Sequence, residues 1–193
     1  IAYPQPGDDL VSMGSRGFFV LPDETHRYQQ FFFFAAGSGI TPVLSLIKTA
    51  LHTFSHVNVV LVYSNASKEK AVYLAELQSL QQQFKDRFFL ELLFSNAANL
   101  SRARLHRDLL LSYLQHYVGG DKDKTMFYTC GPESYMRLCT YTLQEAGVAP
   151  SCIRKENFYF TNAVKRDASP PDKADHLALI RLGSEEYTVP VRY

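Results

Sequence analysis

The 193-residue sequence has almost no net charge: 20 Lys and Arg stand against 19 Asp and Glu, a formal +1 at pH 7. That balance offers no general attraction to nucleic acid or to an anionic membrane surface. Long apolar runs are also missing. The strongest, FFFF at 31–34 and VNVVLVY at 57–63, are strand-sized, well short of the roughly 18–20 residues that span a membrane. No secretory apolar segment with a cleavage site is present. Cysteine is scarce and odd in number: Cys130, Cys139 and Cys152, without a C-x-x-C pair and with no histidine at ligand spacing. These read as reduced thiols in a cytoplasmic protein rather than as a disulfide framework or a zinc site. The G-x-S-x-G nucleophile elbow is absent, since Ser38 lies in A-G-S-G, which disfavours a hydrolase.

What is present is strict alternation. Strand-like runs at 31–36, 57–63, 87–95, 124–130 and 152–158 are separated by helical patterns at 41–54, 69–84, 104–117 and 132–147. The first three strands read as continuous apolar runs, as strands covered on both faces do. Alternation of this kind predicts an α/β fold: a Rossmann-like, five-stranded parallel sheet in the order 3-2-1-4-5, with right-handed crossovers and helices on both faces. Two β fragments flank it. Residues 1–24 read as the end of a β-rich unit. Residues 176–193 read as a hairpin, with alternation over 177–182, a Gly183-Ser184 turn and a second run, EYTVPV. The polar stretch 161–175, with its Pro pair, reads as a linker. The chain is therefore expected to be a piece of a longer protein, with residues 28–160 its complete domain.

In such a sheet ligands bind beyond the carboxyl ends of the strands, where the strand order reverses. The loops flanking that point are GSGITP (37–42) and CGPES (130–134). Gly37 and Gly39 let backbone N–H groups approach a phosphate, with Thr41 as N-cap and Pro42 pre-organising the first helical turn. The same residues also suit a plain strand–helix turn. Cys130, ahead of a helix opened by Gly131, Pro132 and Glu133, is either a thiol of lowered pKa or a buried small residue. Glu156, at the end of the last strand, either faces a reacting ring or is a solvated charge. The tail of the second strand carries Tyr63, Ser64, Asn65, Ser67, Lys68 and Lys70 and no acid before Glu69. Hydroxyls with lysines suit a 2′-phosphate, where an NAD-selective site would place an acid. A solvated helix start is the alternative. Arg102 and Arg104 either reinforce that pocket or lie on the surface. The histidines of the helices, His52, His56, His106 and His116, read as surface groups.

Taken together, AAGSGITPVLS, LVYSNAS, FYTCGPESYM and ENF, in that order and spacing, resemble the pyridine-nucleotide domain of the ferredoxin–NADP reductase superfamily. Within it the chain is similar to the three-part reductases of bacterial oxygenases, those of phenylacetyl-CoA oxygenase among them. The resemblance implies an NAD(P)H-dependent flavin oxidoreductase. Its electrons would pass from NADPH or NADH through FAD to a [2Fe–2S] centre and on to an oxygenase component. It implies that 1–24 close a flavin-binding barrel and that 176–193 begin a ferredoxin domain, so that FAD and cluster belong to the full-length protein. It implies that Gly37, Ser38, Gly39 and Thr41 hold the pyrophosphate and the adjoining ribose, while Cys130, Gly131 and Pro132 lie beside the nicotinamide. Glu156 would lie near the flavin–nicotinamide contact, with Phe158 packing toward the flavin and Cys130 positioning rather than attacking. Related sequences often carry Arg where this one has Ala66, which leaves NADPH and NADH both open. A nucleotide-sensing module without catalysis is the alternative function.

Overall fold

The computed structural model describes residues 17–118, 120–157, 176–182 and 185–191. Gly17–Tyr159 form one compact unit, and the hairpin near the C-terminus belongs to a second.

The first unit is built on a five-stranded sheet. Its strands are β1 (Gln30–Ala36), β2 (Asn58–Asn65), β3 (Phe88–Phe94), β4 (Thr125–Cys130) and β5 (Ile153–Glu156). Every pairing is parallel, and the order is β3-β2-β1-β4-β5, as the alternation predicts. The helices are α1 (Ile40–Thr53), α2 (Leu74–Gln83), α3 (Arg107–Tyr117) and α4 (Glu133–Glu145). Right-handed crossovers put α1 and α2 on one face and α3 and α4 on the other. An ion pair ties each couple: Lys48 to Glu76 at 2.8 Å, and Arg107 to Glu145 at 2.8 Å. Among the described residues, no helix is long and apolar enough to cross a membrane.

The four phenylalanines explain why β1 lies at the centre. Phe31 to Phe34 are all fully buried, and their alternation sends two rings to each face of the sheet. On one face Phe32 stacks on Phe34 at 4.8 Å and on Phe127 at 5.8 Å; on the other, Phe33 stacks on Tyr128 at 4.8 Å. Each buried ring contributes about 1.5–3 kcal/mol relative to an exposed one. Segment 17–21 packs on this second face. Phe19 meets Tyr128 edge-on, Tyr128 donates to the Val20 carbonyl at 3.1 Å, and Arg154 donates to the Phe18 carbonyl at 3.3 Å. The compact unit thus includes residues 17–27.

Two local expectations are corrected. β3 is an edge strand and is only half-buried along most of its length. Its central Glu91 accepts from Tyr117 Oη at 2.6 Å and pairs with Arg102. Helix α2 starts at Leu74, not 69, because residues 67–71 close turns and Tyr73 adopts φ +59, the left-handed region. In the second unit, β6 (His176–Leu182) and β7 (Glu185–Val191) pair antiparallel with Leu182 opposite Glu185. The register fits the expected two-residue turn, whose Gly183 and Ser184 lie outside the described residues. So do residues 1–16 and the expected linker 161–175.

Candidate functional site

The carboxyl ends of the strands form one row. Across the sheet, Ala35 is in register with Cys130 and Cys130 with Glu156, Ala36 with Ser64, and Asn65 with Phe94. Above this row, on the α3–α4 side, a cleft of about 410 Å³ is lined by Gly37, Ser64, Asn65, Arg104, Pro132 and Tyr135, with Ser95, Ser134, alanines and leucines between them. The cleft lies where the strand order turns back, between the loops after β1 and β4.

The loop after β1 is not an open cradle. Gly37–Gly39 wind into a 3-10 turn that runs directly into α1. The N-cap therefore falls on Gly39, and Thr41, expected as the cap, is an exposed residue of the first turn. Thr41 lines a separate groove of about 460 Å³ between α1 and α2, along with Lys48, Tyr73 and Glu76. Pro42 is half-buried in the same first turn, and Ser38 is exposed. The two glycines differ sharply. Gly37 has φ +55, with nothing within 4 Å of where a Cβ would stand; Gly39 is buried, and a Cβ there would run into the end of β4.

Tyrosines fix the rim. Tyr63, expected among the polar candidates of the second-strand tail, is fully buried, and its Oη lies 3.3 Å from both the Gly37 and Val72 carbonyls. It ties the glycine turn to the lead-in of α2. Burial raises its pKa, so the hydroxyl stays a donor. Tyr135 of α4 donates to the Ala35 carbonyl at 3.3 Å and accepts from Ser64 Oγ at 3.4 Å. Burial, followed by the nearby Cys139, pushes its pKa well up. Sequence reasoning misses Tyr135. Its one signal is its place in the first helical turn after Gly131-Pro132, from which a side chain leans back over the strand end.

Cys130 is fully buried, and burial, with Glu156 second, pushes its thiol up to about 12. Burial thus favours a protonated small residue over a thiol of lowered pKa. Glu156 is half-buried beside it at the end of β5. Gly131 follows at the end of β4, and Pro132, the N-cap of α4, lines the cleft. Phe158 lies outside the described residues.

The positive charge in the cleft comes from the segment before α3. Lys68 and Lys70 are exposed in the turns after β2 and do not line the cleft. The two arginines part company: Arg102 is engaged by Glu91 and lies 3.3 Å from Tyr113 Oη, whereas Arg104 lines the cleft and makes no ion pair among the described residues. His106 holds that segment in place. Its Nδ1 accepts from Leu109 N at 3.4 Å, and its Nε2 lies 3.2 Å from the Ser101 carbonyl. Asn65 also lines the cleft. It is 8 % exposed, and its Nδ2 has no hydrogen-bond partner among the described residues. A buried donor left unpaired costs about 1–3 kcal/mol, so an acceptor arriving from a ligand fits the site.

Comparison with known proteins agrees with this geometry. The family model for the oxidoreductase NAD-binding domain matches residues 33–140, more than half the chain. The sequence is 28% identical over 175 residues to the ferredoxin reductase component of 3-ketosteroid-9-alpha-monooxygenase from Rhodococcus rhodochrous, covering 88% of this chain and 46% of that protein. It is 27% identical over 155 residues to a component of the 1,2-phenylacetyl-CoA epoxidase of Escherichia coli, covering 79% of this chain and 43% of that protein. The chain thus spans less than half the length of these relatives. In fold it is similar to the ferredoxin–NADP+ reductase of Plasmodium falciparum, with a TM-score of 0.62 at 21% identity over 75% of this chain and 58% of that one. Family match, sheet order and the placing of the cleft converge: the chain belongs to the oxidoreductase NAD-binding domain family, in the ferredoxin–NADP reductase superfamily.

Proposed function

We propose that the chain is the NAD(P)H-binding part of a cytoplasmic flavin-dependent reductase that feeds electrons through FAD and a [2Fe–2S] centre to an oxygenase component, with the phenylacetyl-CoA oxygenase system as the candidate partner. The observation that carries this reading is the cleft at the sheet's reversal point, which joins Gly37, a buried amide on Asn65 without a partner among the described residues, and the cation of Arg104. A dinucleotide presents what these groups lack, anionic oxygens for Arg104 and an acceptor for Asn65, and the space at Gly37 lets it come close. The names of the relatives support the oxygenase role, and the three free, buried cysteines support a reducing compartment.

When bound, the nicotinamide supplies a hydride for a flavin. The chain's own residues bind and orient. Gly37, Ser64, Asn65 and Arg104 hold the phosphate-rich portion. Cys130, Gly131 and Pro132 form the wall for the ring, and the protonated Cys130 thiol adds no charge there. Glu156 stands on the flavin side. Arg104 in place of an acid favours NADPH. Residues 1–24, of which 17–24 pack with the nucleotide-binding unit, and 176–193 are assigned to the flavin and ferredoxin units.

The full-length gene product tests this reading. It should carry flavin and [2Fe–2S] absorption, both bleaching on addition of NADPH under nitrogen. A full-length protein that binds NADPH yet contains no flavin would replace the reductase reading with that of a sensing module.

A further inference from the structure

The loops after β1 and β4 meet backbone to backbone. A Cβ on Gly39 would stand 2.2 Å from the Cys130 carbonyl oxygen, 2.5 Å from its carbon and 2.8 Å from the Gly131 nitrogen. These are backbone atoms at the end of a fully buried strand, held between Ala35 on one side and Glu156 on the other. No rotamer change clears that space. The contact is reciprocal: a Cβ on Gly131 would stand 2.9 Å from Ala36 Cβ and 3.3 Å from Ala36 N and O. Gly39 leaves a gap that the backbone at the end of β4 fills, and Gly131 leaves one that the methyl and backbone of Ala36 fill. Gly37, two residues away, opens onto free space.

We propose that Gly39 and Gly131 are positioning residues that interlock the two loops, fixing the Cys130–Pro132 wall at a set distance from the Gly37 turn. On this account the two glycines of G-x-G divide the work. Gly37 offers backbone to the ligand, and Gly39 sets the separation of the two ends of the site. The proposal rests on the nucleotide reading above. A methyl at Gly39 has to displace the end of β4, since packed interiors have no slack of that size. Asn65 and Arg104 are carried by β2 and by the segment before α3, so the adenosine side of the cleft keeps its groups. The ring side moves.

The test uses the 193-residue chain as wild type, Gly39→Ala and Ala36→Gly, titrated with 2′,5′-ADP and 5′-AMP as adenosine halves and with NADPH and NADH as complete dinucleotides. The expected result for Gly39→Ala is adenosine-half affinity within about twofold of wild type and complete-dinucleotide affinity about tenfold weaker. The amide signals of Cys130, Gly131 and Glu133 should shift in the same variant. Ala36→Gly removes the methyl beneath Gly131 without creating a clash, so it folds if Gly39→Ala does not; it should move the same amides and weaken the dinucleotides less. Weakening of all four ligands in proportion to a lower melting temperature would overturn the positioning role, as would amide shifts confined to residues 37–41. Failure of the wild type to bind any probe contradicts the nucleotide reading instead, and the amide shifts then decide the interlock alone.

Discussion

The seam between the β1 and β4 loops and the rim formed by β2 and the segment before α3 border the same cleft but are built on opposite terms. At the seam the residues are glycine, alanine and a fully buried cysteine, in contact through backbone atoms. At the rim they are Ser64, Asn65 and Arg104, with an amide left unpaired and a guanidinium without an ion pair among the described residues. The difference teaches where tolerance lies. Changes at the seam should cost stability and geometry; changes at the rim should cost recognition and leave the fold alone.

Gly131→Ala tests the seam hardest. The new methyl meets Ala36 at 2.9 Å, and the backbone sits at φ +156. Overpacking and strain together should destabilise the chain by about 3 kcal/mol, read as a lower urea midpoint.

Arg104→Ala is the corresponding change at the rim. Affinity for 2′,5′-ADP should fall about tenfold, as loss of a charge-assisted contact to phosphate predicts, with an unchanged urea midpoint. A fall in stability with no change in binding would merge the two regions into one.

Gly37→Ala sits between them. Nothing obstructs the methyl, so only the left-handed backbone opposes it, at about 1 kcal/mol. Gly37→Asn, which tolerates that conformation, should cost less than Gly37→Ala in the same melt.

The pH dependence of stability sharpens the view of the seam. Burial pushes the thiols of Cys130 and Cys139 from an ordinary 9.0 up to about 12. Above pH 9 the unfolded chain releases these protons while the folded chain retains them, so unfolding is favoured as pH rises toward 12. Urea midpoints should be level from pH 7 to 8 and decline beyond 9, and Cys130 should resist alkylation in the native protein at pH 8. The smallest effect is expected for Lys68→Ala with Lys70→Ala: both side chains lie outside the cleft, so 2′,5′-ADP affinity should change by less than about twofold.

The fold is largely legible in the sequence because apolar periodicity and crossover handedness act over whole segments. FFFF suits a central strand, and alternation with right-handed crossovers leaves few sheet orders. Sequence and structure part where a tertiary contact overrides a local signal. RFFLELLFS looks covered on both faces, yet Glu91 finds Tyr117 and Arg102 at the sheet edge. Thr41-Pro42 looks like a helix start, but the 3-10 turn carries the N-cap back to Gly39. Nearness to β2 in the chain points to lysines as the positive charge of the cleft, whereas Arg104 arrives from a distant loop held in place by His106. Spacing in the chain does not encode which of Arg102 and Arg104 meets a carboxylate. The strand that carries Glu91 decides it.

The central claim is that the cleft is a nucleotide site whose phosphate recognition lies on the rim. Calorimetric titration of the 193-residue chain with 2′,5′-ADP and with 5′-AMP, in wild type and in Arg104→Ala, tests it most directly. The account predicts tighter, salt-sensitive binding of 2′,5′-ADP by the wild type, with that advantage over 5′-AMP lost in the variant. A wild-type chain that binds neither ligand, or a variant that keeps the full advantage, would contradict it.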